Sequence, residues 1–221
     1  MIAIFGGTFD PIHFGHLRLA EELGALLEAE SVVFIPVGNP PHRNANLAPA
    51  HQRVAMLELA VAGNPRFRLD LRETRKTTPS YTIETLTELR AEYGDSPLAL
   101  LLGSDAFMGL ASWHRWQELF DLAHIVVAHR PGFSPDWRQG VAPTLREQIE
   151  ARLLDDVAGL KSTPAGRIFL HAITALDISA SAIRRMMQSG QSAQYLLPDS
   201  VIDYIQSNSL YSQGESTLHD S

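Results

Sequence analysis

The first 36 residues, MIAIFGGTFDPIHFGHLRLAEELGALLEAESVVFIP, contain a strand pattern, a helix pattern and a second strand pattern in succession. MIAIF is a short apolar run at the amino terminus, and SVVFIPV, residues 31–37, is a second one. The segment between them, HLRLAEELGALLEA, has leucines at helical spacing, namely Leu19, Leu23, Leu26 and Leu27. This order predicts a βαβ unit with two parallel strands.

The same alternation continues along the rest of the chain. Further strand patterns are FRLDL, LALLLG, IVVAH and RIFLHAI. Helix patterns are HQRVAMLELAVAG, YTIETLTELRAEYG, TLREQIEARLLDDVA, SASAIRRMM and SVIDYIQ. Strands that alternate with helices predict an α/β fold, a Rossmann-like, doubly wound and mainly parallel sheet with helices on both faces. We expect one domain over residues 1–207, followed by a polar, serine-rich tail at 208–221 that is too poor in apolar residues to be anchored.

Composition excludes several classes of protein. The formal net charge is −7, so the basic surface of a protein that coats nucleic acid is not expected. The chain has no cysteine, which excludes disulfides, thiolate metal sites and a cysteine nucleophile. The amino terminus resembles neither a signal peptide nor a membrane span, so we expect a cytoplasmic protein with no membrane partner. The sequence leaves the oligomeric state open.

The loop between the first strand and the first helix, GGTFDPIHFGH at residues 6–16, is suited to holding phosphate. Two glycines allow close approach of the backbone, and the helix that starts near Gly15 and His16 offers free N–H groups. The chain has neither GxxxxGK[ST] nor GxGxxG, so His13 and His16 are the candidate phosphate donors. Two other readings remain, a plain turn shaped by Asp10 and Pro11 and a metal site at the two histidines.

Two motifs at opposite ends of the chain resemble one superfamily. GTFDPIHFGH is similar to the GTFDPxHxGH signature of the HxGH nucleotidyltransferases, and ISASAIR, residues 178–184, resembles their ISSTxIR motif, with Ala180 in place of a serine and Ser181 in place of a threonine. The resemblance implies that His13, His16, Thr8 and Arg184 are catalytic. It implies that ATP contacts Gly6, Gly7, Thr8, Phe9, His13, His16, Ile178, Ser179, Ser181 and Arg184.

Four further segments indicate one family within this superfamily. TPSYTIETL, NPPHR, LLGSDAF and ASWHRW resemble, in order and spacing, the bacterial nicotinate mononucleotide adenylyltransferases. The resemblance implies transfer of an adenylyl group from ATP to nicotinate mononucleotide. The residues expected to contact this mononucleotide are Asn39, His42, Arg43, Thr82, Asp105, Trp113, His114 and Arg130. From their own sequence context alone, the alternative interpretations are a helix cap for Asp105, a core residue for Trp113 and a surface loop residue for Asn39.

The expected chemistry needs no general base. The attacking 5′-phosphate has a second pKa of about 6 and is already ionised at neutral pH. Mg²⁺ is expected to arrive with ATP, held by phosphate oxygens and water, with no metal site built by the protein. The alternatives are pantetheine phosphate adenylyltransferase, a cytidylyltransferase, whose arginine-rich motif is missing here, and a non-catalytic nucleotide sensor. A nucleic-acid-binding module is the most distant reading.

Overall fold

The computed structural model describes residues 1–39, 47–129, 140–174 and 176–212. The strands are β1 (Ile2–Gly7), β2 (Ser31–Pro36), β3 (Phe67–Leu69), β4 (Leu98–Gly103), β5 (His124–His129), β6 (Leu153–Leu154) and β7 (Ile168–Ala172). The α-helices are α1 (Phe14–Leu26), α2 (Ala50–Val61), α3 (Thr82–Tyr93), α4 (Ser104–Met108), α5 (Leu119–Leu122), α6 (Pro143–Arg152), α7 (Ala180–Gln188) and α8 (Asp199–Ser207). Short 3₁₀ helices lie at Glu73–Arg75, Leu110–Ser112, Trp116–Glu118 and Val157–Lys161.

The strands form one seven-stranded sheet in the order β3-β2-β1-β4-β5-β7-β6. Every neighbouring pair is parallel, and Ile4 of β1 lies opposite Val33 on one side and Leu100 on the other. The chain winds outward from β1 to β3, returns to the other side of β1 and then winds outward through β4 and β5. The doubly wound, Rossmann-like fold expected from the sequence is therefore confirmed.

Alternate residues of the strands face two separate apolar layers. Ala3 and Phe5 belong to a cluster with α1, α2 and α8, whereas Ile2 and Ile4 belong to a cluster with α3, α4, α5 and α6. A strand that is buried on both faces reads as a continuous apolar run, which is why MIAIF and LALLLG show no polar alternation. The prediction of helices on both faces is confirmed.

One predicted helix is shorter in the structure than the sequence pattern. TLREQIEARLLDDVA was expected to be helical from residue 144 to 158, but α6 ends at Arg152. Leu153 has extended dihedral angles, φ −62° and ψ 134°, and the pair Leu153–Leu154 forms β6 beside β7. Pairing at the sheet edge satisfies backbone groups there, and it outweighs the helical preference of the sequence.

The start of the polar tail contacts the domain. Leu210 and Tyr211 are partly buried against the cluster that contains α1, α2 and α8. The expectation for the rest of the tail falls on residues 213–221, which lie outside the described residues. The boundary at residue 207 stays a prediction.

Across the described ranges, no helix has both the length and the apolar character that a bilayer crossing needs.

Candidate active site

A cavity of about 650 Å³ opens where the carboxyl ends of β1 and β4 diverge. This is the point at which the strand order reverses, the usual ligand site of a doubly wound sheet. The volume lies within the range of small-molecule sites. Its lining includes Gly6, Gly7, Thr8, Glu73, Ser80, Tyr81, Thr82, Thr85, Ser112, Trp113 and His114. Gly6, Gly7 and Thr8 of the first motif therefore share one cavity with the segments around Thr82 and Trp113, whereas His13 and His16 are not among the residues that line it.

The loop after β1 leads directly into α1. Phe9 adopts a positive φ of 49°, and its side chain is 2% exposed. The Phe9 ring meets the His16 ring edge-on at a centroid distance of 5.3 Å. Phe9, expected at ATP, thus supports His16 with its side chain and can reach a nucleotide only through its backbone. Helix α1 begins at Phe14, slightly before the expected start.

His13 and His16 form a stacked pair. Their ring centroids are 3.7 Å apart with an interplanar angle of 24°. A Cβ at Gly15 would lie 3.0 Å from the His13 ring, a tight contact that would force the ring to shift, so glycine leaves room for the stacked pair. Within the described chain, the Nδ1 atoms of both rings are buried without a hydrogen-bond partner. Such atoms are suited to an incoming ligand.

Burial keeps both histidines neutral in the ligand-free protein. It lowers the pKa of His13 to about 4. Burial, and then the charge of His13, holds the pKa of His16 well below its ordinary value. A neutral imidazole donates one hydrogen bond, and an anion beside it raises its pKa. The pair can therefore donate to phosphate oxygens and gain positive charge as a phosphate binds.

A buried arginine on α2 holds the loop in place. Arg53 is 2% exposed, and its guanidinium donates to the carbonyl oxygens of Thr8 at 2.8 Å, Val37 at 2.7 Å, Gly38 at 3.1 Å and Ala48 at 3.1 Å. These acceptors satisfy a cation that would otherwise be costly to bury. The sequence gives no sign of this role, because Arg53 stands alone in an ordinary helix pattern.

The second motif contacts the first on one face of the sheet. Arg184 of α7 donates from Nη1 to the carbonyl oxygen of Asp10 at 2.5 Å. Ile178 lies 3.7 Å from the position of a Cβ on Gly15. The hydroxyls of Ser179 and Ser181 are exposed and lie 2.9 Å apart. The predicted ATP residues from the two ends of the chain are thus brought together.

Two of the segments expected at the mononucleotide, around Thr82 and Trp113, form part of the cavity wall. Thr82 is the first residue of α3, as expected for a helix start. Trp113 directly follows a 3₁₀ helix and is partly buried. The ring of His114 lies 4.6 Å from the ring of Tyr81, which links the two segments. An aromatic face and a helix start therefore meet in one cavity.

The other predicted contacts lie beside the cavity or outside the described residues. Asn39 donates from its amide to the Lys76 carbonyl oxygen at 3.2 Å, while its own carbonyl accepts from the Ser80 N–H at 3.2 Å. Asp105 is exposed on α4 and does not line the cavity, although Gly103 and Ala106 do. His42, Arg43 and Arg130, also expected at the mononucleotide, lie outside the described residues.

Sequence reasoning missed a polar group at the cavity wall. Glu73 is 6% exposed and accepts a hydrogen bond from the Thr85 hydroxyl at 2.6 Å. Burial raises the pKa of the Glu73 carboxyl. Ser80 lines the same cavity, and its hydroxyl has no partner within the described chain. The signal that could have found it is the spacing of Thr85, three residues after Thr82, which places both threonines on one face of α3.

Comparison with known proteins identifies the family. The cytidylyltransferase-like family model matches residues 4–186. A nicotinate-nucleotide adenylyltransferase of Dechloromonas aromatica is 52% identical over 95% of this chain and 97% of its own length. The corresponding protein of Acidithiobacillus ferrooxidans is 46% identical over 95% of both chains. These matches span nearly the whole chain.

Solved structures share the fold. The nicotinic acid mononucleotide adenylyltransferase of Plasmodium falciparum complexed with NaAD has a TM-score of 0.71 and 18% identity, covering 95% of this chain and 96% of that one. The same Plasmodium protein complexed with APC has a TM-score of 0.70 and 17% identity, with the same coverage. The chain belongs to the cytidylyltransferase-like family and is a member of the nicotinate-nucleotide adenylyltransferases.

Proposed function

We propose that the cavity between β1 and β4 is where this chain transfers the adenylyl group of ATP to nicotinate mononucleotide. The products are nicotinate adenine dinucleotide and pyrophosphate, in NAD biosynthesis. The observation that carries the proposal is the contact between the two motifs, in which Arg184 donates to the Asp10 carbonyl beside the paired histidines. The names of the relatives support the choice of substrates.

The transfer is a displacement at phosphorus. An oxygen of the mononucleotide 5′-phosphate bonds to the α-phosphorus of ATP, and the bond from that phosphorus to the bridging oxygen breaks to release pyrophosphate. The nucleophile is ionised at neutral pH, so the protein has to align the two substrates and stabilise the charge that develops. The site fits this task, since it presents donors in place of a base.

The donors form two sets that serve different parts of the reacting phosphates. His13, His16 and Thr8 serve the phosphates at the reaction centre, and Arg184 with the hydroxyls of Ser179 and Ser181 binds the triphosphate. The Nδ1 atoms of the stacked histidines have no hydrogen-bond partner among the described residues, so they are available when ATP binds. Such preorganised donors are worth about 10²–10³-fold in turnover when one is removed.

The far part of the cavity binds the nicotinate ring. Trp113 offers an aromatic face, and the backbone N–H groups at Thr82 and His114 serve the ring carboxylate. Asn39 and Asp105 are proposed to contact the mononucleotide from the cavity edge. The same role is proposed for His42, Arg43 and Arg130, the three residues outside the described ranges.

The chain belongs to a family of nucleotidyltransferases that use ATP, and we propose Mg²⁺ as the accompanying ion. Within the described residues, no group of three or more histidine, aspartate or glutamate side chains could hold a metal ion. The phosphate oxygens of ATP and water therefore form its ligand set, and the ion supplies charge neutralisation. We also propose a cytoplasmic location, where ATP is supplied.

The reaction is tested by measuring pyrophosphate release with ATP and one acceptor at a time. We expect efficient release with nicotinate mononucleotide and much weaker release with nicotinamide mononucleotide or phosphopantetheine. Preference for phosphopantetheine would reject the substrate and leave the chemistry in place. Nucleotide binding without release from any acceptor would indicate a nucleotide sensor.

Two variants test the division of roles. His16→Ala should lower kcat by about 10²-fold or more with a smaller change in KM for ATP. Trp113→Ala should raise KM for nicotinate mononucleotide about tenfold and leave KM for ATP unchanged. The matched controls are His51→Ala and Trp116→Phe. His51 is exposed on α2, and the Trp116 ring packs on Phe120 outside the cavity. Near-normal turnover of His16→Ala would reject its assignment.

A further inference from the structure

A tyrosine from the end of the chain contacts the loop that carries the paired histidines. Tyr211 donates from its hydroxyl to Oδ1 of Asp10 at 2.5 Å. The same oxygen accepts from the Ala48 N–H at 3.2 Å. Asp10 is 2% exposed, so its carboxylate depends on these donors in place of water. Burial, and then the bond to Asp10, raises the pKa of Tyr211, which therefore remains a donor at working pH.

The second oxygen of Asp10 faces the cation of the other motif. Oδ2 has no hydrogen-bond partner within the described chain and lies 3.5 Å from Nη1 of Arg184. That distance is an ion pair without a direct hydrogen bond. Nη1 is instead bonded to the backbone carbonyl of Asp10. The carboxylate of Asp10 and the triphosphate of ATP are therefore competing anions for one guanidinium.

We propose that Tyr211 is a positioning residue for ATP binding, which holds Oδ1 of Asp10 so that Arg184 remains available to the triphosphate. The inference rests on the proposed role of Arg184. With Oδ1 bonded to Tyr211 and Ala48, the carboxylate is held away from direct contact with the guanidinium. Without the hydroxyl, the buried carboxylate takes a direct hydrogen bond from Arg184, and ATP has to break it.

Removing the hydroxyl alone tests the proposal. Tyr211→Phe keeps the ring that packs against the core. We expect KM for ATP to rise about fivefold to tenfold, which corresponds to the net contribution of one ordinary hydrogen bond. The dissociation constant of an ATP analogue with a methylene bridge between the α- and β-phosphates should rise by the same factor. The kcat and the KM for nicotinate mononucleotide should stay within twofold.

The matched control is Tyr195→Phe, because Tyr195 is 81% exposed and its hydroxyl is in water. This variant should leave all three constants unchanged. A Tyr211→Phe variant that lowers kcat and raises both KM values together would mean a general structural role and would overturn the proposal. The unfolding midpoint of each variant, measured by circular dichroism, separates loss of fold from loss of positioning.

A double-mutant cycle shows whether Tyr211 acts through Arg184. In an Arg184→Ala background, the further change Tyr211→Phe should alter analogue binding by less than twofold. An undiminished effect in that background would overturn the inference. If Arg184→Ala weakens binding but Tyr211→Phe does not, only the inference fails. If Arg184→Ala itself leaves binding unchanged, the proposed role of Arg184 at the triphosphate fails as well.

Discussion

His13 and His16 are held neutral by the fold, and this lowers the free energy of unfolding at low pH. The folded protein lowers the pKa of His13 from its ordinary 6.5 to about 4. Between these two values the unfolded chain binds more protons than the folded chain, so stability rises with pH. The contribution of His13 is complete above about pH 6.5 and is lost as the pH falls toward 4.

We expect this contribution to be of the order of 3 kcal/mol in the free energy of unfolding. Urea unfolding of the wild type and of His13→Asn at pH 7, 5.5 and 4.5 measures it. The difference between the two proteins should shift in favour of the variant as the pH falls. His51→Asn, at an exposed position, should follow the wild type at every pH. Parallel curves for the wild type and His13→Asn would contradict the lowered pKa.

Residues with a local signature were within reach of the sequence, and residues held by distant contacts were not. His13, Thr82 and Trp113 belong to short motifs that the sequence shows, and the structure places Thr82 and Trp113 at the cavity and His13 in the loop after β1. Arg53 and Tyr211 act on the loop from 45 and 201 residues away. No periodic pattern marks such pairs, because their partners are backbone carbonyls or a single carboxylate brought near by the fold.

At the scale of elements, helix α2 does more than cover the sheet. It carries Arg53 to a point where three separate stretches of the chain meet. The guanidinium donates to four carbonyl oxygens there. We expect Arg53→Met to lower the free energy of unfolding by about 3–5 kcal/mol, since four carbonyl oxygens, of which that of Gly38 is in a buried hydrogen bond and the other three are in partly buried ones, lose their donor. Turnover should fall with it, because Thr8 is one of the four.

Chemical unfolding with circular dichroism as the probe measures the effect. Arg18→Met is the control, because the Arg18 side chain is 48% exposed and forms a surface ion pair with Glu22. Its cost should stay below about 1 kcal/mol. Equal costs for the two variants would show that burial of Arg53 adds nothing to the stability of the loop.

The ends of helices and strands are predicted less well from local sequence patterns than the elements themselves. The run TLREQIEARLLDDVA is helical in composition, yet the chain leaves the helix at Leu153 to add β6 to the sheet. Its partner strand β7 begins at Ile168, so the pairing depends on residues beyond the run. By contrast, the order of strands and helices follows from local apolar patterns, which is why the fold class was predicted correctly.

At the scale of the whole molecule, the residues that follow α8 stabilise the domain by packing against it. Leu210 and Tyr211 lie after α8 and pack on the layer that also holds α1 and α2. A chain that stops at Ser207 should therefore lose about 2–3 kcal/mol of unfolding free energy, from the apolar contacts of both residues and the bond to Asp10.

A chain that stops at Ser212 is the matched comparison. The residues it lacks, QGESTLHDS, include one leucine and no other large apolar side chain, so their removal should change the unfolding free energy by less than about 0.5 kcal/mol. Urea unfolding of the full chain and both shortened chains measures the difference. If stopping at Ser207 costs no more than stopping at Ser212, Leu210 and Tyr211 do not stabilise the domain. If stopping at Ser212 costs as much as stopping at Ser207, the last nine residues carry the stability, against the expectation from their composition.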